Sequence, residues 1–184
     1  MILIFSAPSG SGKSTLVQHL LDTRQDMELS ISATTRAPRG KEQDGKEYYF
    51  ISPERFEQLI REDAFVEWEQ VYKGTYYGTL KSEIDRIEGA GHHVVFDIDV
   101  KGGVNIKRLF GEKARSIFIA PPSVEVLRER LNRRGTDSQE KIEERLAKAT
   151  IEMQDAPLFD TIIINDDLQA AKAALDKEIQ SFIN

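Results

Sequence analysis

Five short runs of the chain are apolar with little polar alternation: Ile2–Phe5, Leu29–Ser32, His93–Ile98, Ser116–Ile119 and Thr161–Ile164. They are rich in Ile, Val and Phe, as strands are when a parallel sheet is covered on both faces. Helical spacing separates them. Ser14–Asp22 follows the first run, Val124–Arg133 starts just after the breaker Pro121-Pro122, and Leu168–Ile183 follows the last run. Strand, helix, strand order of this kind predicts a doubly wound α/β fold.

Two stretches leave that rhythm. Residues 33–82 hold the loop ATTRAPRGKEQDGKEYY, a turn signal at Asp44-Gly45 and a helix of about ten residues with Pro53 in its first turn. Residues 123–159 are helical and heavily charged, interrupted at Arg134-Gly135-Thr136, with a second helix over Glu140–Ile151. Excursions near strand ends tend to carry function.

Composition narrows the classes. The 184 residues are 40% hydrophobic and 30% charged, which fits a folded globular protein. Against 25 Lys and Arg stand 31 Asp and Glu, a net charge of −6 that argues against a general nucleic-acid binder or a charge-held membrane protein. With no cysteine there is no disulfide, thiol nucleophile or Cys-ligated zinc, and His19, His92 and His93 lack the spacing of a helical metal pair. No apolar run approaches the roughly 20 residues that span a bilayer, and MILIFSAPSGSGK has neither the charge nor the apolar length of a signal peptide. A cytoplasmic location is expected. All five tyrosines and the only tryptophan fall between Tyr48 and Tyr77, a concentration that suggests a ligand-facing surface.

The segment Ser6-Ala7-Pro8-Ser9-Gly10-Ser11-Gly12-Lys13-Ser14-Thr15 follows an apolar run and opens a helix. It matches G-x-x-x-x-G-K-[ST] except for Ala7 at the first glycine. Successive N–H groups in such a loop, with the helix N-terminus, form a concavity for phosphate oxygens. Lys13 supplies a cation for the β- and γ-phosphates, and the Ser14 hydroxyl is a Mg²⁺ ligand. A positive φ at Ala7 would cost on the order of 1–2 kcal/mol. Ala7 is therefore expected at negative φ, with Gly10 and Gly12 as the glycines the loop needs. Such loops are normally accompanied by a carboxylate at the end of a nearby strand, and Asp97, followed by Asp99, fills that place. Asp97 would hold Mg²⁺ through water. The plainer alternative is that both aspartates end a strand and cap the next element.

The series APSGSGKST, SATTRAPRGKEQDGKEYYF, FVEW, YYGT, DIDVKGG, FIAPPS, RRGT and INDD resembles the guanylate kinases, P-loop nucleoside monophosphate kinases, over essentially the whole chain. Departures from the family pattern are Ala7, Ala33 where a second hydroxyl is common, and Lys101 where glutamine is frequent. The resemblance implies a P-loop NTPase-type three-layer α/β/α fold with a parallel sheet, a small β-rich GMP-binding insert and a helical lid. Core segments would be 1–32, 83–122 and 160–184, the insert 33–82 and the lid 123–159. It implies transfer of the γ-phosphoryl group of ATP to GMP, and also to dGMP, with Mg²⁺, by a monomer or weak homo-oligomer.

The chemistry agrees with that reading. A nucleoside monophosphate has a second pKa of about 6, so its attacking oxygen is ionised at neutral pH without a general base. Phosphoryl transfer needs positioning and charge neutralisation, which arginine supplies. Arg36 and Arg39 are candidates for fork-like contacts to the acceptor phosphate, and the resemblance adds the hydroxyls of Tyr48 and Tyr77, for which packing is the alternative. Tyr49, Tyr72, Tyr76 and Trp68 are assigned to packing. Glu67 is the candidate for base choice: a carboxylate accepts from guanine N1–H and the 2-amino group, whereas adenine would leave it unpaired. The alternative for Glu67 is an exposed place on an edge strand. By resemblance Ser32 and Thr79 lie near the base and Asp99 contributes to the GMP site. ATP would be held by Ser9, Gly10, Ser11, Gly12, Lys13, Ser14 and Thr15, with Arg130, Arg134 and Asn165; Arg134 and Arg145 would reach the transferring group. The pairs Glu129/Arg133 and Glu144/Lys148 leave a solvated charged face as the alternative there, and Asp167 is a good N-cap for the last helix. Lys13, Arg36, Arg134 and Arg145 are thus the catalytic candidates. Two rivals remain open on the sequence: a kinase for a different monophosphate, and a non-catalytic protein-binding module of the same fold.

Overall fold

The computed structural model describes residues 1–135 and 137–183; Thr136, Asn184 and the side chains of Tyr72 and Arg134 lie outside the described residues. In chain order the elements are β1 (Ile2–Ser6), α1 (Lys13–Thr23), β2 (Met27–Leu29), β3 (Ala33–Thr34), β4 (Tyr49–Phe50), α2 (Pro53–Arg61), β5 (Phe65–Tyr72), β6 (Thr75–Leu80), α3 (Lys81–Gly89), β7 (His93–Asp97), α4 (Val100–Phe110), β8 (Ala114–Ala120), α5 (Val124–Arg134), α6 (Gln139–Gln154), β9 (Thr161–Ile164) and α7 (Leu168–Ile183). Five strands form one sheet in the order β2-β7-β1-β8-β9, and β4-β3-β6-β5 form a second. The chain divides into two units, Met1–Met27 with Val95–Asn184, and Glu28–Val94.

The first unit is the doubly wound α/β body that the alternating pattern predicts. β8 pairs in parallel with both β1 and β9, so each connection must cross over through helices. All five residues of β1 are buried, which explains why its sequence shows no polar alternation. Within α5 and α6, Leu127 and Leu131 face Ile142, Leu146 and Ala149, spacings of four and three that give each helix one apolar stripe. Ser123 and Ser138 cap the two helices through the N–H groups of Val126 and Lys141. Gly135 closes α5 at φ 64°, a left-handed turn that glycine adopts without Cβ strain.

The second unit is the β-rich segment. Ala33, Phe56 and Phe65 form its core with Tyr49, Ile51, Leu59, Ile60, Tyr76 and Leu80 against them. Phe56 stacks on Phe65 and on Tyr76, at centroid distances of 4.3 and 5.1 Å. Pro53 opens α2, and the Ser52 hydroxyl accepts from Arg55 N. The strand expected over Leu29–Ser32 is displaced: β2 ends at Leu29. Ile31 N–H is instead taken by a side-chain carboxylate, that of Glu83, so that N–H joins no ladder.

Candidate active site

In the first unit the loop between β1 and α1 turns on two glycines. Gly10 and Gly12 have φ of 98° and 92°, while Ala7 is not among the residues with positive φ. The sequence expectation for Ala7 holds, and its methyl group is buried. Gly12 carries a second constraint, since a Cβ there would collide with Asn165 Nδ2. Asn165 is itself buried at the end of β9 and donates to the Ser11 carbonyl at 2.7 Å. The loop is thus propped from below by a side chain 154 positions away. That role is not legible in the sequence, because no local pattern links Asn165 to Ser11.

Lys13 Nζ lies 2.6 Å from Asp97 Oδ1 and donates to the Ile98 carbonyl at 2.8 Å. Ser14 and Thr15 sit exposed on the first turn of α1. Asp99 caps α4, accepting from Gly102 N at 2.8 Å. Asp167 caps α7 through Ala170 N, as its position before Leu168 suggests. From α5, Arg130 donates to the Asn165 carbonyl at 2.8 Å. From α6, Arg145 Nη1 donates to Ser9 Oγ at 2.7 Å and Nη2 lies 3.4 Å from Asp137. Arg145, Ser9, Gly12, Asn165 and Arg130 therefore meet around one loop. Arg134 ends α5, and its side chain is outside the described residues. Elsewhere on the two helices the described ion pairs include Arg128–Glu143 and Lys148–Glu152.

In the second unit a cluster forms around Arg36. Its Nε donates to the Tyr77 hydroxyl at 3.1 Å, and its two terminal nitrogens grip Glu42 at 2.6 and 2.8 Å. Tyr48 lies against the guanidinium, 4.9 Å from its carbon to the ring centroid, and meets the Tyr77 ring edge-on. Burial pushes the Tyr48 hydroxyl pKa up, so it stays a donor. Arg39 is exposed, and its backbone N–H donates to the same Glu42 at 2.7 Å. No sequence pattern points to Glu42. It lies six residues beyond Arg36 across a turn containing Gly40 at φ 58°, and neither helical nor strand periodicity singles out such a pair.

On the β5–β6 hairpin, Glu67 stands opposite Thr79, whose buried hydroxyl donates to Glu67 Oε1 at 3.0 Å. Glu67 is half-buried although β5 is an edge strand, so the carboxylate is neither in the core nor in open solvent. The Ser32 carbonyl accepts from Tyr49 N at 2.9 Å. Tyr49 and Tyr76 pack as expected, each with its hydroxyl on a glutamate, Glu83 and Glu57. Trp68 lies 6.2 Å from the Tyr76 ring but is 46% exposed, so the packing expected of it is only partial.

Comparison with known proteins decides the family. The guanylate kinase family model matches residues 1–182. This chain belongs to the guanylate kinase family. It is similar to a guanylate kinase of Bacteroides thetaiotaomicron, 54% identical over 183 residues that cover 100% of this chain and 90% of that protein. A Porphyromonas gingivalis guanylate kinase is 52% identical over 183 residues, covering 99% and 97%. The crystal structure of guanylate kinase from Anaplasma phagocytophilum superposes with a TM-score of 0.74 at 28% identity, over 98% of this chain and 85% of that one. As a guanylate kinase the chain has the P-loop NTPase fold, and the loop propped by Asn165 is its P-loop. Among the described residues no helix is long and apolar enough to cross a membrane.

Proposed function

We propose that this guanylate kinase transfers the γ-phosphoryl group of ATP to GMP with the donor on the P-loop of the first unit and GMP on Glu28–Val94. The observation that carries the acceptor assignment is the pairing of two features in that one unit. A carboxylate–hydroxyl pair, Glu67 with Thr79, suits a guanine edge, and the Arg36–Tyr48–Tyr77 cluster suits a phosphate. Ser32 adds a hydroxyl for the base and Arg39 a second cation for the phosphate. An ionised oxygen of the GMP phosphate attacks the γ-phosphorus. That P–O bond forms as the bond to the β,γ-bridging oxygen breaks, leaving GDP and ADP.

Ser9 to Thr15 supply the donor cradle, in which the positive φ of Gly10 and Gly12 turns successive N–H groups toward one point. Lys13 neutralises phosphate charge. Arg145 already reaches Ser9 of the loop, and with Arg134 it stabilises the transferring group. Arg130 and Asn165 hold α5 and the P-loop in register on the donor side. The helices α5 and α6 act as the lid that excludes water.

The donor set suits Mg²⁺: the Ser14 hydroxyl and the Asp97 carboxylate are hard oxygen ligands, the latter acting through water. When bound there, the ion would supply charge neutralisation for the phosphates, and Ser14 and Asp97 are the residues that would hold it.

The decisive experiment is Glu67→Gln assayed with GMP, AMP, UMP and dTMP against ATP. Loss of at least tenfold in kcat/KM for GMP is expected with KM for ATP unchanged, since a buried polar group left unmatched costs about 1–3 kcal/mol. Unaltered GMP kinetics would remove Glu67 from the acceptor site.

A further inference from the structure

One buried carboxylate has no part in the chemistry of transfer. Glu83, on α3, is 3% exposed, and each of its oxygens accepts two hydrogen bonds. Oε1 takes Ile31 N at 3.1 Å and Arg86 Nη2 at 2.7 Å, while Oε2 takes the Tyr49 hydroxyl at 3.0 Å and Arg86 Nε at 3.1 Å. Arg86 is in turn paired with Glu28, whose other oxygen lies 2.8 Å from His92 Nδ1. A bare carboxylate at this depth carries a large desolvation penalty, which excellent geometry and full hydrogen bonding must offset. An apolar residue would fill the space without that penalty. The arrangement therefore has a purpose other than filling volume.

The partners indicate which. Ile31 immediately precedes Ser32, and Tyr49 immediately follows Tyr48. The two segments are joined directly by the bond from Tyr49 N to the Ser32 carbonyl. β2 has already ended at Leu29, so the Ile31 N–H has Glu83 as its partner where a strand ladder would otherwise serve. Successive side chains in extended backbone point to opposite faces. Fixing Tyr49 inward by its hydroxyl thus turns Tyr48 toward Arg36 and Tyr77, where its ring is found.

We infer that Glu83 is a positioning residue for the acceptor nucleotide, setting the Ser32 backbone and the Tyr48 side chain through one four-bonded carboxylate. This rests on the acceptor roles proposed for Ser32 and Tyr48. Glu83 touches neither substrate; it holds the two groups that do. Loss of the anchor lets both shift, and displacements near 1 Å in a substrate-positioning shell cost up to about a hundredfold.

The test compares Glu83→Gln and Tyr49→Phe with Ser32→Ala and Tyr48→Phe, each measured for KM of GMP, KM of ATP, kcat and thermal midpoint. Glu83→Gln keeps the shape but sets an amide against the Arg86 guanidinium, and a roughly tenfold rise in KM for GMP is expected with KM for ATP unchanged. Tyr49→Phe removes a single hydroxyl, leaves the Glu83–Arg86 pair intact and should raise KM for GMP about threefold. If Glu83→Gln fails to fold, Tyr49→Phe alone decides. A lowered thermal midpoint with unaltered KM for GMP in the folded protein makes Glu83 a purely structural residue and overturns the inference. If Ser32→Ala and Tyr48→Phe leave GMP kinetics untouched, the acceptor reading itself fails and takes this inference with it.

Discussion

Arg36 and Glu42 meet as a two-pronged ion pair, with Nη1 to Oε2 at 2.6 Å and Nη2 to Oε1 at 2.8 Å. The guanidinium proposed to bind the acceptor phosphate is thus held by an internal carboxylate. Hydrogen bonds from Arg36, and then from the Arg39 backbone, draw the Glu42 pKa down from 4.5 to about 2. A carboxyl whose folded pKa is depressed stabilises the fold above its unfolded value and loses that contribution as pH falls through the folded one. The difference in thermal midpoint between the wild-type chain and Glu42→Gln should be constant from about pH 8 to about pH 6. It should shrink below about pH 4.5 and vanish near pH 2. A difference that does not depend on pH would show that the pair contributes through shape and not charge.

Gly12 and Ala7 should be told apart by ATP affinity when a single methyl group is exchanged at each. Gly12→Ala meets the positive φ, a cost on the order of 1–2 kcal/mol, and also drives Asn165 off the Ser11 carbonyl. Both the thermal midpoint and ATP affinity should fall. Ala7→Gly meets no such constraint; it loosens the unfolded chain and removes a buried methyl group, for a loss of about 1–2 kcal/mol with ATP affinity retained. Denaturation curves and an ATP titration read both.

Lys13→Met should lower kcat by about a hundredfold or more, the range found when one preorganised transition-state donor is removed. Its stability effect should stay within about 1 kcal/mol, because the Lys13–Asp97 pair is partly exposed, at 19% and 28%. Asp97→Asn should instead shift the Mg²⁺ concentration at half-maximal rate upward. Rate measurements across a Mg²⁺ series separate the two variants.

Arg145→Ala is expected to reduce kcat at least about a hundredfold while KM for GMP stays constant, since its contact is with Ser9 of the donor loop. Arg128→Gln, which breaks the exposed pair with Glu143 on the same helical hairpin, should leave both parameters unchanged. Equal losses in the two variants would mean that the hairpin as a whole, and not Arg145, matters to the reaction.

The elements with one dominant local signal are legible in the sequence. The last helix, Leu168–Ile183, has the bounds that its periodicity gives, and β1 and β9 follow from their unbroken apolar runs. Helix α4 escapes the pattern, because Gly102 and Gly103 in its first turn are poor helix formers. The structure explains them: a Cβ on Gly102 would lie 2.6 Å from Ile98 Cδ1, and one on Gly103 would strike Ser6 Oγ. Helix α3 escapes it too, since nine residues ending in glycine give too little periodicity to separate from a loop. In the site, motif positions such as Lys13, Gly12 and Glu67 can be named from spacing or resemblance. Glu42, Glu83 and the bracing role of Asn165 cannot, since each acts through contacts that only the folded chain creates.

Trp68 is the only tryptophan in the chain, half exposed on β5 beside Glu67 and 6.2 Å from the Tyr76 ring. All indole emission therefore originates one residue from the carboxylate assigned to the guanine base. The molecule carries its own optical label on the β5–β6 hairpin, and emission from the unmodified chain during a GMP titration reads whether that hairpin responds to the acceptor, without any dye, tag or coupled reaction.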